Sequence, residues 1–214
     1  MQEYMIEIEG LNKSFKEAHI LKNISVSFEK GKIHGLIGRN GSGKTMLLKC
    51  ICGFVPPTSG TIRVNHKTIG KDMDVPESVG IIIEAPGFLP NYSAYNNLRF
   101  LAMIQRRIGK KEILEAIRRV GLDPSCKKHV GKYSLGMRQR LGIAQAIMEN
   151  PELLILDEPM NGLDNHGVED IRSLLLGLKK EGKTILIASH SAEDIDILCD
   201  TVHEMDSGVM QTVR

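Results

Sequence analysis

Hydrophobic and polar positions follow two different periods along this chain. Short runs, Met5–Glu9, Ile24–Phe28, Ile33–Ile37, Thr61–Val64, Val79–Glu84, Leu153–Asp157, Thr184–Ser189 and Thr201–Met205, read as strands. Leu153–Leu156 and Thr184–Ala188 are nearly unbroken apolar runs, the pattern of central parallel strands covered on both faces. Met5–Glu9 and Ile24–Phe28 instead alternate apolar with polar residues, as one-sided antiparallel strands do, so a small antiparallel layer is expected to lead into a mostly parallel core. Between Tyr92 and Val130 the period changes to helical, with Leu98, Leu101 and Ala102, then Ile113, Leu114, Ile117 and Val120. This block, entered near Pro86–Gly87 and spanning about 86–150 with the helical run Leu141–Glu149, reads as an α-helical subdomain inserted in an α/β core. With no repeat, low-complexity tract or long linker, residues 1–214 are expected to form one domain.

Composition narrows this picture in a few places. Of 214 residues, 42% are hydrophobic and 25% charged, which excludes disordered, collagenous and coiled-coil chains. A net charge of +2 gives no reason to expect nucleic acid or an anionic membrane as the main partner. No apolar run reaches the roughly 18 residues of a membrane span, and Met1–Tyr4 lacks the basic-then-apolar order of a leader, so a cytoplasmic chain, soluble by itself, is expected. The four cysteines suggest no disulfide framework, and Cys50 and Cys52 flank Ile51 in a helical run, where packed thiols are the simplest reading. With no Trp and only nine Phe and Tyr, a base-stacking surface is not expected.

The chemistry concentrates after the strand Ile33–Ile37. There Gly38-Arg39-Asn40-Gly41-Ser42-Gly43-Lys44-Thr45 leads into the apolar helical run Met46–Ile51, a phosphate-binding loop in its strand-loop-helix context. Glycines let successive backbone N–H groups turn inward on a phosphate, Lys44 supplies the cation for the β and γ phosphates, and the Thr45 hydroxyl suits Mg²⁺. Gly38 to Met46 form the candidate stretch for nucleoside triphosphate. A second element, Leu153-Leu-Ile-Leu-Asp157-Glu158-Pro159, ends a buried strand at the same sheet edge. Asp157 would hold the metal, directly or through water, and Glu158 would polarise the attacking water. An ordinary polar turn is the plain alternative for Asp-Glu alone, and its pairing with the phosphate loop argues against that.

Kinases and helicases share those two motifs. The segment Lys132-Tyr-Ser134-Leu-Gly136-Met-Arg-Gln-Arg140, just upstream, resembles the signature of the ATP-binding cassette family, although Ser-Leu-Gly-Met by itself would also serve as a helix cap. The resemblance runs from about Ile6 to Val213. It implies a P-loop NTPase fold of the cassette type, ATP hydrolysis, and a dimer in which Ser134 and Gly136 meet the γ-phosphate held by the other subunit. It further implies that Phe15 stacks on adenine, unless it is a core residue, that Asp164 of Asn161–Asp164 lies at the nucleotide interface, and that His190 contacts the γ-phosphate. The catalytic set is then Lys44, Glu158 and His190, and the metal set Thr45, Asp157 and Glu84. Cassettes usually carry Gln where Glu84 stands. Glu84, with Tyr133–Leu141 and Asn161–Asp164, resembles the bacitracin and lantibiotic resistance branch.

What the resemblance implies is an ATP-hydrolysing subunit powering export through separate membrane-spanning permeases, held at the inner face of the cell membrane, as a homodimer or paired cassette. The loop after Glu84 with Phe88, Leu89, Tyr92 and Tyr95 would couple to the permease, or these side chains would pack inside the helical subdomain. The rival reading is a soluble cassette ATPase of DNA repair or translation; this chain lacks their coiled-coil insertion and tandem cassettes, and no nucleic acid partner is expected.

Overall fold

The computed structural model describes residues 3–84 and 86–214; Met1 and Gln2 of the N-terminal stretch and Ala85 of the segment after Ile81 lie outside them. Two sheets form the core. One is antiparallel and four-stranded, in the order β2 (Ala18–Glu29), β1 (Tyr4–Phe15), β4 (Ser59–Val64) and β5 (Lys67–Thr68). The other runs β10 (Val209–Thr212), β9 (Thr201–Asp206), β3 (Ile33–Ile37), β8 (Thr184–Ala188), β7 (Leu153–Asp157) and β6 (Val79–Ile82), parallel throughout except for β10 against β9. The architecture is the expected one, with longer strands at its edge. β1 and β2 extend to 12 residues each, because the register shifts along their ladder absorb the polar interruptions at which the alternation stops. β5 and β10 carry no sequence pattern of their own and pair as short edge strands.

The central strands divide their side chains between two cores, as continuous apolar runs require. Leu154, Leu156, Ile185 and Ile187 face one cluster, with helices α4 (Leu135–Ile147), α5 (Asn165–Lys180) and α6 (Ala192–Leu198). Leu153, Ile155, Leu186 and Ala188 face the other, with helix α1 (Lys44–Ile51) and the antiparallel layer. Cys50 and Cys52 lie wholly within that second core, and burial pushes their thiols up to about 11 and about 12. The helical region comprises α2 (Ala94–Gln105), α3 (Lys110–Arg119) and α4. It shares a hydrophobic cluster with the sheet, so Leu98, Ile113, Ile117 and Leu141 pack continuously with Leu154 and Ile187.

Two further boundary differences bear on the site. α4 begins at Leu135 rather than Leu141, because Ser134 caps it: its Oγ accepts from the Met137 N–H at 3.2 Å. The strand expected over Val79–Glu84 stops at Ile82, and Glu84 sits beyond it with φ 63°, a left-handed backbone outside the extended range of a regular strand.

Candidate active site

Parallel pairing brings the ends of β3, β8 and β7 to one edge, with Asp157 beside Ala188 and Leu36 beside Ala188 on the other side. Everything chemical grows from that edge. The loop after β3 lies close to the β9 backbone: a Cβ on Gly38 would fall 2.2 Å from the Met205 carbonyl oxygen, so glycine is obligatory there. Within the loop Ser42 is buried and its Oγ has no hydrogen-bond partner among the described residues, a polar atom suited to an anion. Lys44 is buried, and its Nζ donates to the carbonyls of Gly38 at 2.6 Å and Arg39 at 3.2 Å. Arg39, Asn40 and Gly41 are exposed at the rim, and Met46 packs its side chain toward the core below.

One residue on, the Thr45 hydroxyl donates to Asp157 Oδ2 at 2.8 Å, joining the two motifs across 112 positions of sequence. Burial pushes the Asp157 carboxyl above its usual range; Thr45 and Lys44 oppose the shift, while the negative charges of Glu158 and Glu84 add to it. Glu158 has φ 49° and its N–H donates to the Ala188 carbonyl, which turns the side chain out of the strand line. Its Oε2 lies 2.8 Å from His190 Nδ1, just past β8. Among the described residues no cluster of three or more His, Cys, Asp or Glu side chains could hold a metal ion by itself; Thr45 and Asp157 offer two oxygen donors, which fits a divalent cation that keeps several of its own waters.

The remaining expected residues take distinct positions. Glu84 Oε1 pairs with Lys49 Nζ of α1 at 2.6 Å, and Glu84 shares a cleft of about 310 Å³ with Asp157, Glu158 and Asn161. Phe15 is not a core residue: it is 49% exposed at the hairpin turn from β1 to β2, with Lys13 Nζ 4.5 Å from its ring centre. Asp164 caps α5, its Oδ1 accepting from Gly167 N–H at 2.8 Å. Gly136 lies against the loop after Glu158, where a Cβ would meet the Gly162 carbonyl oxygen at 2.8 Å. Among the described residues no hydrogen bond joins Ser134 or Gly136 to residues 38–45. Leu135, the first residue of α4, lines the same cleft as Asp157 and Glu158.

One residue in this network has no role in the sequence reading. Gln139 is buried, and its Nε2 donates to the carbonyls of Glu158 at 3.2 Å and Pro159 at 3.1 Å, fixing the turn that carries Glu158. Its signal is positional: 139, 142, 143 and 146 share one buried face of α4, so an amide there needs internal partners.

A phosphate loop, a strand-end Asp-Glu pair and a helical insertion on a parallel sheet define a P-loop nucleotide-binding cassette. Comparison with known proteins agrees: the family described as ABC transporter matches residues 21–161, and the chain belongs to it. It is 49% identical to the "Uncharacterized ABC transporter ATP-binding protein YybJ" of Bacillus subtilis, over 97% of this chain and 95% of that one. It is 44% identical to the "Bacitracin transport ATP-binding protein BcrA" of Enterococcus faecalis, over 97% and 68%. Identity to the "Lantibiotic transport ATP-binding protein SrtF" of Streptococcus pyogenes is 39%, over 92% and 85%. Among solved structures, cbiO1 from Clostridium perfringens, part of the ABC transporter complex cbiONQ, superposes with TM-score 0.84 at 31% identity, covering 100% of this chain and 88% of that one. A dimeric cassette, MJ0796 bound to ADP and Pi, shares the fold with TM-score 0.87 at 22% identity, over 98% and 99%. This chain is an ATP-binding subunit of the ABC transporter class, an ATPase of that family. The similarity lies with transport proteins and supplies no support for the repair or translation reading. Among the described residues no helix is long and apolar enough to cross a membrane.

Proposed function

We propose that this cassette hydrolyses Mg-ATP in a pair with a second cassette, at the inner face of the cell membrane, to drive export of a peptide antibiotic through separate membrane-spanning subunits. The antibiotic reading rests on the bacitracin and lantibiotic names of its relatives and on Glu84. The observation that carries the chemistry is the line of contacts from buried Lys44 through Thr45 and Asp157 to Glu158 and His190. Gly38 to Met46 wrap the phosphates, and Lys44 exchanges the Gly38 and Arg39 carbonyls for β and γ phosphate oxygens. Thr45 and Asp157 hold Mg²⁺, which when bound neutralises charge developing on the γ-phosphate. Glu158 takes the proton of the attacking water, oriented from behind by Gln139 and from the side by His190. Phe15, exposed and flat, stacks on the adenine.

In this reading Ser134 and Gly136 serve the ATP of the opposite subunit, and Asp164 lies at the same interface. Among the described residues neither Ser134 nor Gly136 is hydrogen-bonded to residues 38–45 of its own chain, which supports that assignment. The coupling surface is a cleft of about 470 Å³ lined by Ile82, Pro86, Leu101, Ile104 and Met148, into which an apolar segment of the membrane subunit inserts. Phe88 and Tyr95 pack on the core instead, while Leu89 and Tyr92 face outward beside it. The test of the pair is a mixing experiment. Ser134→Arg and Lys44→Ala chains, each inactive alone, are expected to regain ATPase activity together, because each mixed pair keeps one undamaged site. No recovery at any ratio, from folded variants of which Ser134→Arg still binds ATP, would remove the composite site.

A further inference from the structure

The net charge of +2 conceals two opposite regions. Residues 86–150 carry twelve Lys and Arg against four Asp and Glu, a net +8, so the rest of the chain carries −6. Helix α2 holds no acidic residue, and one side of it combines a cation with exposed apolar side chains. At 100° per residue Arg99, Met103, Asn96 and Phe100 fall within an arc of about 100°. Met103 is 56% and Phe100 37% exposed, and Tyr92 stacks edge-on against Phe100 with ring centres 5.1 Å apart. Arg99, Arg106, Lys110 and Lys111 are exposed and make no ion pair among the described residues. Arg107 spends its hydrogen bond on the Glu77 carbonyl. Ile104, on the next arc round, belongs to the coupling cleft and not to this surface.

Unpaired cations interleaved with exposed aromatic and thioether side chains set two demands on a partner. It must be anionic, and it must accept apolar groups beside the charge. A nucleic acid backbone meets only the first. An anionic lipid surface meets both, with phosphates at headgroup level and an acyl boundary beneath. We infer that the outer arc of α2 lies on the anionic surface of a phospholipid bilayer. Phe100, Met103 and Tyr92 enter the headgroup–acyl boundary, and Arg99, Arg106, Lys110 and Lys111 meet lipid phosphates. The arc borders the coupling cleft, so one orientation serves both contacts. The inference deepens the placement of the cassette at the membrane, but its test uses no membrane subunit, so either can fail without the other.

The experiment is flotation of the purified cassette with vesicles of phosphatidylcholine alone or in equal parts with phosphatidylglycerol. The wild type is expected to float with anionic vesicles, not with neutral ones, and to be released by high salt. Arg99→Gln/Arg106→Gln is expected to weaken vesicle affinity by about 25-fold, each cation contributing about fivefold. Phe100→Ser/Met103→Ser is expected to weaken it at least as much, with ATPase activity of both variants at the wild-type level as the check on folding. Equal flotation with neutral and anionic vesicles, or variants that float like the wild type, would overturn the inference. So would no flotation at all; if poly-glutamate is then bound and the arginine variant loses it, the arc belongs to an acidic protein segment.

Discussion

The α/β core and the helical region each present a helix N-terminus suited to phosphate, and they finish it differently. At the start of α1, Lys44 and Thr45 are tied to Gly38, Arg39 and Asp157, and Glu158 is tied to His190, so the groups hold one another in place within the chain. At the start of α4, the Ser134 hydroxyl is bonded to its own helix and Leu135 stands 63% exposed beside it. Both regions leave some large apolar side chains in the open, Phe15 and Phe54 on the core and Met103, Ile104 and Leu135 on the helices. A site closed on itself needs only its substrate; a helix end open to solvent leaves room for a second body. The contrast gives the proposed division of labour its physical basis: binding and chemistry in the core, partner contacts on the helices.

The most severe way to break the contrast is at Glu158. Glu158→Gln keeps the shape and removes the proposed base, so ATP turnover is expected to fall by about 10²–10⁴-fold while ATP still binds. Lys44→Ala should instead raise the dissociation constant for ATP, because the buried cation is lost. Steady-state rates and equilibrium nucleotide binding separate the two.

Acid should attack the core and spare the helices. His34 and His203 are buried around Phe28, linked through the Thr201 hydroxyl, with His34 Nε2 on the Glu29 carbonyl and His203 Nδ1 on Thr212. Since Glu29 O can only accept, His34 Nε2 carries the proton, and the bonds then run in one direction through neutral rings. Burial holds both imidazoles below their usual range, His203 at about 4. A depressed histidine stabilises the fold fully above its unfolded value near 6.5, and that contribution is lost as pH falls toward 4. Up to about 3 kcal/mol is at stake for His203. Thermal unfolding from pH 7 to 4 should show His203→Gln with a flatter loss of Tm than the wild type.

A smaller effect is expected where the two regions are joined. Arg140 of α4 donates to the Val120 carbonyl at 2.6 Å and pairs with Asp170 of α5 at 2.8 Å, tying helices on either side of the joint. Arg140→Met should cost about 2 kcal/mol, chiefly through the carbonyl left without a donor. Denaturant unfolding measures it; a loss below a few tenths would mean the joint is held by apolar packing alone.

Glu84 should matter least in the isolated subunit. Its ion pair with Lys49 is solvent-exposed and of small energetic weight. Glu84→Gln is therefore expected to leave ATP affinity within a few-fold. It also removes a negative charge that pushes the Asp157 carboxyl up, so the Mg²⁺ concentration for half-maximal hydrolysis should shift. Superimposable Mg²⁺ titrations would make Glu84 a bystander.

Local chemistry explains what could be read from the chain alone. Gly38–Thr45 needs its spacing to wrap a phosphate, and the unbroken apolar runs at 153–156 and 184–188 need cover on both faces, so motif and architecture were legible. The helix at 135 was less so, because the Ser134 cap outweighs a weak apolar pattern before Leu141. Folding alone brought together what lies far apart in sequence: Thr45 with Asp157, Glu158 with His190, Glu84 with Lys49, and Gln139 behind the Glu158 turn. Such contacts depend on which strands pair and in what register, and no single segment encodes that. Charge divides the same way: the +8 of residues 86–150 can be counted along the chain, while only the fold shows which of those cations stand exposed near Phe100 and Met103.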